Sequence, residues 1–203
     1  MSHPTPKAVV FDLGKVLLDF DYGILARRIA PHIRLTSAEF RSLVDQTPLL
    51  HRYETGLSGD REFFDEVVSR SGFQGEYDTF AAWFGDIFTE IPPMVALQEE
   101  LRRRGVPTFV FSNTNAMAIA HVRKAFPFFG GFTGEILSYE VGSMKPDVRI
   151  YEALERLSNL SGADLLYLDD RAENIEAGLA RGWQGWIHDD PAVTVPRVLQ
   201  LFG

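Results

Sequence analysis

Asp12, Ser112 with Asn113, Lys145, and the pair Asp169-Asp170 are the residues whose types and order suit covalent chemistry on a phosphate group. An aspartate carboxylate can act as a nucleophile, dividing one difficult displacement into two easier ones through an acyl-phosphate, and Asp12 is the candidate. A carboxylate approaching a phosphate dianion meets like-charge repulsion, so the site must supply positive charge. Asp12, Asp169 and Asp170 in one crevice would add three anions of their own, which is costly without a cation. Hard oxygen ligands of this kind suit Mg²⁺, which takes one or two carboxylates, a phosphate oxygen and several waters. Lys145 adds a monovalent charge, and Pro146 after it sets the loop geometry just before a helix. Ser112 and Asn113 offer a hydroxyl, an amide and backbone N–H groups at a helix N-terminus, a natural phosphate cradle. Each piece alone is commonplace, and the reading rests on their order at element boundaries.

Strand ends must position these residues. Asp12 follows Val9-Val10-Phe11, Ser112 follows Phe109-Val110-Phe111, and Asp169 follows the apolar run 165–168. In an open α/β sheet ligands sit beyond the carboxyl ends of the strands, so the three ends can converge. Continuous apolar and β-branched character predicts buried strands at 8–11, 108–111 and 165–168, with shorter ones near 135–137 and 184–187. Helices are expected at 94–104, 115–124, 146–157 and 172–180, with a terminal helix ending at Leu201 and an irregular stretch around Gly130-Gly131. This alternation implies a mostly parallel sheet covered on both faces. Between residue 21 and about residue 90 the periodicity is helical, with no convincing strand. Ile24, Leu25, Ile29 and Ile33 suggest one helix and Phe40, Leu43 and Val44 a second. Phe63, Phe64, Val67 and Val68, opened by Ser58-Gly59-Asp60, suggest a third, and Phe80, Trp83, Phe84 and Phe88 a last aromatic face. Those aromatics read as bundle core. Pro92-Pro93 marks the return to the sheet.

The composition narrows the classes. A chain of 203 residues holds one large domain, or a core with a small insertion. A net charge of −8 gives no support to nucleic-acid binding. The absence of cysteine excludes disulfides, thiolate metal sites and a cysteine nucleophile. No stretch reads as a signal peptide or a membrane span, so a cytoplasmic monomer acting on a small molecule is the expectation. The histidines at 3, 32, 51, 121 and 188 lack metal-ligand spacing. Trp183 and Trp186 read as packing residues, and Asp21 as a helix cap.

The motifs resemble those of the haloacid dehalogenase (HAD) superfamily. Phe11-Asp12-Leu13-Gly14 matches its first motif, Phe111-Ser112-Asn113-Thr114-Asn115 the second and Lys145-Pro146 the third. The run from Leu168 through Asp169-Asp170-Arg171 to Asn174 matches the fourth. More narrowly, Phe-Asp-Leu-Gly-x-Val, Ser-Asn-Thr-Asn, Lys-Pro-x-x-Arg-Ile-Tyr and Asp-Asp-x-x-x-Asn resemble the branch containing bacterial α-glucose-1-phosphate phosphatase. The resemblance implies a Rossmann-like core from residues 1–17 and 92–203, with a helical cap at 18–91. It further implies a Mg²⁺-dependent phosphatase acting on a small phosphomonoester such as a sugar phosphate. By the same resemblance Asp12 is the nucleophile, and Asp12, the Gly14 carbonyl and Asp170 hold the metal. Asp169 and Asn174 stand behind the metal ligands, Asp169 also orienting Lys145. Ser112, the Asn113 backbone and Lys145 hold the phosphate.

One departure matters. Most phosphatases of this superfamily carry a second aspartate two residues after the nucleophile, which protonates the leaving alcohol; here that residue is Gly14. A good leaving group, a residue from the cap or a metal-bound water would have to compensate, or the protein binds ligand without turnover. Lys15 beside it, and Asp19 at the crossing into the helical block, are further candidates near the substrate. The polar segment Arg52-Tyr53-Glu54-Thr55-Gly56 reads as a loop of the cap, with Arg52 or Glu54 facing the leaving group. A halide-releasing hydrolase, which needs no metal, a phosphoaspartate receiver module and a catalytically silent sugar-phosphate binder remain alternatives.

Overall fold

The first strand, β1 (Ala8–Phe11), is buried along its length, and its side chains divide between two cores by the period-two alternation of an extended chain. Val9 and Phe11 point into one cluster with Val110, Leu166 and Leu168. Ala8 and Val10 point into the other with Phe109, Phe111 and Tyr167. The computed structural model describes residues 4–203, so His3 and the first residues of the polar segment 1–7 lie outside it.

After β1 the chain forms β2 (Leu18–Phe20), α1 (Tyr22–Ile29), α2 (Ser37–Val44), α3 (Pro48–Glu54), α4 (Asp60–Ser71), α5 (Tyr77–Gly85) and β3 (Phe88–Glu90). It then alternates through α6 (Pro92–Arg103), β4 (Thr108–Ser112), α7 (Ala116–Ala125), β5 (Gly134–Leu137), α8 (Ser138–Val141) and α9 (Val148–Ser158). Last come β6 (Leu165–Asp169), α10 (Ala172–Ala180), β7 (Gln184–Ile187) and α11 (Pro191–Leu201). The main sheet is parallel throughout, in the order β5-β4-β1-β6-β7. The crossovers run outward from β1 in both directions, so the strand order reverses there, and a crevice opens at such a switch point. Register pairs Phe11 with Val110 and with Leu168, so the carboxyl ends of β1, β4 and β6 are neighbours. Among the described residues no helix is long and apolar enough to cross a membrane.

The helical block has its own core, in which Phe40, Phe63, Phe80 and Phe84 are fully enclosed with Tyr53 stacked on Phe63. Two expectations are corrected. The block is entered and left through a two-stranded antiparallel ribbon, β2 with β3, in which Phe20 pairs with Phe88. Phe88 therefore belongs to a strand rather than a helical face. Three residues are too few to show a period, and the partner lies about seventy positions away. Arg52 to Glu54 are not a loop but the last turn of α3, which opens on Thr47 and Pro48. Thr47 accepts a hydrogen bond from the Leu50 N–H, and proline at the first helical position completes that start signal.

Two contacts fasten α3 to the sheet layer. The Tyr53 hydroxyl donates to Asp60 and accepts from the Met117 N–H at the start of α7. Gly56, at φ +69°, lies so close to Tyr139 that a Cβ would overlap the Tyr139 carbonyl oxygen. Gly56→Ala combines a left-handed backbone with a clash against main chain, and should destabilise the protein by about 1–3 kcal/mol in thermal unfolding.

Candidate active site

Lys145 lies at the centre of the site. It precedes α9, and its backbone is clamped by Asn113, whose Oδ1 accepts from the Lys145 N–H at 2.7 Å and whose Nδ2 donates to the Lys145 carbonyl at 3.0 Å. The ammonium then reaches under the strand ends. It contacts Asp12 at 2.9 Å, Asp169 at 2.7 Å and the Phe111 carbonyl at 2.8 Å, with 1% of its side chain exposed. Burial works against this charge, but Asp12 and Asp169 hold the ammonium above the ordinary lysine range.

The adjacent aspartates of the fourth motif have different surroundings. Asp169 is fully enclosed, and four donors saturate it. Lys145 and the Tyr167 hydroxyl meet Oδ2, while the Arg171 N–H and the Asn174 amide meet Oδ1, each at 2.9 Å. Burial alone would raise its carboxyl, yet Lys145 and these donors hold it below the ordinary range. Asp170 is partly exposed and faces the cleft, and its carboxyl is raised by burial and by Asp169. Asp12 resembles Asp170 in this respect. Its Oδ1 accepts from the Leu13 N–H at 2.7 Å and from Lys145. Its other oxygen has no donor among the described residues. Burial pushes the Asp12 carboxyl up to about 7 despite the neighbouring ammonium.

One lysine, bonded to Asp12 and Asp169, thus stands beside three carboxylates, oxygens of which lie within 4.8 Å of one another. Two of the three, Asp12 and Asp170, are pushed above the ordinary carboxylate range by burial and by their acidic neighbours. A hard divalent cation fits this donor set, because it would relieve the excess negative charge and accept oxygen ligands from both Asp12 and Asp170.

The cleft above these residues measures about 1000 Å³ and lies between the sheet layer and the helical block. Asp12, Gly14, Asn113, Lys145, Asp170 and Asn174 line its floor; Arg52 and Glu54 line its opposite wall. Ser112 is buried and lines a smaller adjoining recess. The structure therefore brings Asp12, Gly14, Asn113, Lys145, Asp170, Asn174, Arg52 and Glu54 to one cleft, with Ser112 in the recess beside it and Asp169 beneath on Lys145, whereas Asp19 lines neither space. The Arg52 guanidinium is engaged by Glu62 at 2.7 Å and Glu66 at 3.6 Å. Lys15 lines the cleft but is paired with Asp19 and donates to the Phe20 carbonyl. Asp21 caps α1 by accepting from the Gly23 N–H. His188 is buried and bonded to Thr194, and Trp183 packs among Phe111, Tyr151 and Tyr167.

Sequence reasoning passed over two tyrosines. Tyr167 orients Asp169, and the Tyr151 hydroxyl donates to the Asn174 carbonyl at 2.7 Å. The available signal was a phenol inside the otherwise aliphatic run 165–168, since a buried hydroxyl requires a partner.

The chain is similar to several known proteins. The sesquiterpene phosphatase astK of Aspergillus oryzae is 26% identical over 202 residues, covering 98% of each chain. The D-ribitol-5-phosphate phosphatase of Bacteroides thetaiotaomicron is 24% identical, covering 88% of this chain and 89% of that one. A HAD family enzyme of Bacteroides thetaiotaomicron, solved in complex with magnesium and inorganic phosphate, superposes with a TM-score of 0.75. Its identity is 21%, with 91% of this chain and 94% of that chain covered. The sequence pattern of the haloacid dehalogenase-like hydrolases matches residues 6–182, and the chain belongs to that family.

Proposed function

We propose that the protein is a Mg²⁺-dependent phosphatase that hydrolyses small phosphomonoesters through an aspartyl-phosphate on Asp12. The observation that carries this reading is the free oxygen of Asp12 at the cleft floor, with Lys145 on the other oxygen and Asp170 alongside. Asp12, the Gly14 carbonyl and Asp170 would hold Mg²⁺, which when bound offsets negative charge on the phosphate oxygens and on Asp12. Asp12 forms the new P–O bond as the ester P–O bond breaks, and the leaving oxygen keeps the electron pair. Ser112, the Asn113 backbone and Lys145 hold the transferred group, Lys145 being kept in place by Asp169 and the Asn113 amide. Water then attacks phosphorus, releases inorganic phosphate and restores the Asp12 carboxylate.

The helical block acts as a cap in this reading and supplies the wall met by the leaving group. Arg41, Asp45, His51 and Arg52 there suit a hydroxyl-rich partner, which supports a sugar or polyol phosphate as substrate. The resemblance of the Phe11-Asp12-Leu13-Gly14 motif to that of the glucose-1-phosphate phosphatase branch supports the same class, as does similarity to a ribitol-5-phosphate phosphatase.

The test is phosphate release from a panel of phosphomonoesters, with and without Mg²⁺. Chelation should remove turnover and Mg²⁺ should restore it. Mg²⁺ should also raise the melting temperature of the native chain and have less effect on Asp170→Asn. Full activity on a haloacid in chelator would overturn the reading.

A further inference from the structure

We propose that Glu54 is the catalytic acid that protonates the leaving alcohol, reaching from the helical block to do work that the residue at position 14 cannot do here. The assignment rests on the phosphatase reading above. Position 14 carries no side chain, and a Cβ there would come within 2.9 Å of Cε1 of Phe20, which would have to shift. A side chain at position 14 would have to displace that ring from its packing. Tyr22 and Phe88 pack against it with centroids 5.9 and 6.2 Å away, and the Lys15 ammonium lies 4.8 Å above it.

Glu54 faces the same place from the opposite wall. It lines the main cleft together with Asp12, Lys145 and Asp170. It also lines the recess of about 60 Å³ bounded by Gly14, Phe20, Ser112 and Asn113. No other cleft carboxylate from the helical block stands in both spaces. Glu54 sits in the last turn of α3, between the two points at which that segment is fastened to the sheet layer, Tyr53 on Met117 and Gly56 on Tyr139. Its distance from the floor is therefore set by fixed contacts.

Three cations that line the same cleft are engaged elsewhere. Arg52 pairs with Glu62 and Glu66, Arg41 with Asp45, and Lys15 with Asp19. Among the described residues no donor meets the Glu54 carboxylate. Burial, with a smaller contribution from Asp45, pushes its carboxyl up to about 7, so much of it carries a proton at neutral pH. As Asp12 forms its bond to phosphorus and the ester P–O bond breaks, the Glu54 proton passes to the leaving oxygen. The products are a neutral alcohol and the Glu54 carboxylate, which regains a proton from the open cleft.

Rapid-quench measurement of Asp12 phosphorylation tests this with two substrates. A sugar-alcohol phosphate needs its leaving oxygen protonated, whereas p-nitrophenyl phosphate needs little help. Glu54→Gln should slow phosphorylation by the sugar-alcohol phosphate about 10²–10⁴-fold and that by p-nitrophenyl phosphate less than about tenfold. Glu54→Asp, which keeps the acid on a shorter arm, should retain more activity on the sugar-alcohol phosphate than Glu54→Gln. Equal losses on both substrates, no loss on either, or parity of the two variants would each overturn the assignment. Failure of the native chain to be phosphorylated by either ester would instead overturn the phosphatase reading, and the assignment with it.

Discussion

Asp12→Asn is expected to lower phosphate release by at least about 10⁴-fold while leaving the fold as stable as before or more so. The loss of activity follows from the chemistry, because an amide cannot form the acyl-phosphate. The stability follows from the electrostatics. Burial raises the Asp12 carboxyl from 3.8 to about 7, so in metal-free buffer the folded state binds a proton there more tightly than the unfolded chain does. Stability from this group is therefore lost as pH rises between those two values, and asparagine has no such loss. The amide oxygen can still accept from the Leu13 N–H and Lys145. Melting temperatures of the native chain and the variant should diverge in the variant's favour as pH rises from about 4 to about 7. A variant markedly less stable than the native chain across that range would show that Asp12 is there to anchor Lys145.

Asp169→Ala should behave in the opposite way, losing stability and activity together. The substitution leaves the Lys145 ammonium with one carboxylate, and strips the acceptor from the Tyr167 hydroxyl, the Arg171 N–H and the Asn174 amide. Breaking a buried ion pair from one side costs about 3–5 kcal/mol. For a chain of this length that lowers the melting temperature by about 6–20 °C. Asp170→Ala makes the contrast, since no other residue donates to that side chain among the described residues. Its melting temperature in metal-free buffer should change by no more than about 2 °C, while Mg²⁺-supported turnover is lost. Equal destabilisation by the two substitutions would contradict the division of labour between neighbouring aspartates. Differential scanning calorimetry alongside phosphate release separates the cases.

Much of the fold was legible because it rests on local pattern. The runs 8–11, 108–111 and 165–168 are apolar on both faces, as strands of a covered parallel sheet must be, and each stops at a polar residue. The expected helix 172–180 and strand 184–187 coincide with α10 and β7 for the same reason. The β2–β3 ribbon was not legible, because its strands are three residues long and join positions far apart in sequence. The helical end of the segment 52–56 was missed because its polar residues mask a short helix whose start signal, Thr47-Pro48, lies outside them.

By itself the sequence determined which residues stand at strand ends, since hydrophobic period and chain punctuation are properties of neighbours along the chain. Only the tertiary structure decided what those residues meet. It made β1 the neighbour of both β4 and β6, gave Asp169 four donors while leaving Asp170 facing the cleft, and turned the Asn113 amide onto the Lys145 backbone. It also set Phe20 against Gly14 and placed Glu54 across the cleft from Asp12. The β1 pairings, the Asn113–Lys145 clamp and the Glu54–Asp12 apposition join groups more than thirty positions apart, whereas Tyr167, Arg171 and Asn174 reach Asp169 from within five residues and only Lys145 comes from farther away. The distant contacts form once separate segments pack together, so no local pattern of residues encodes them.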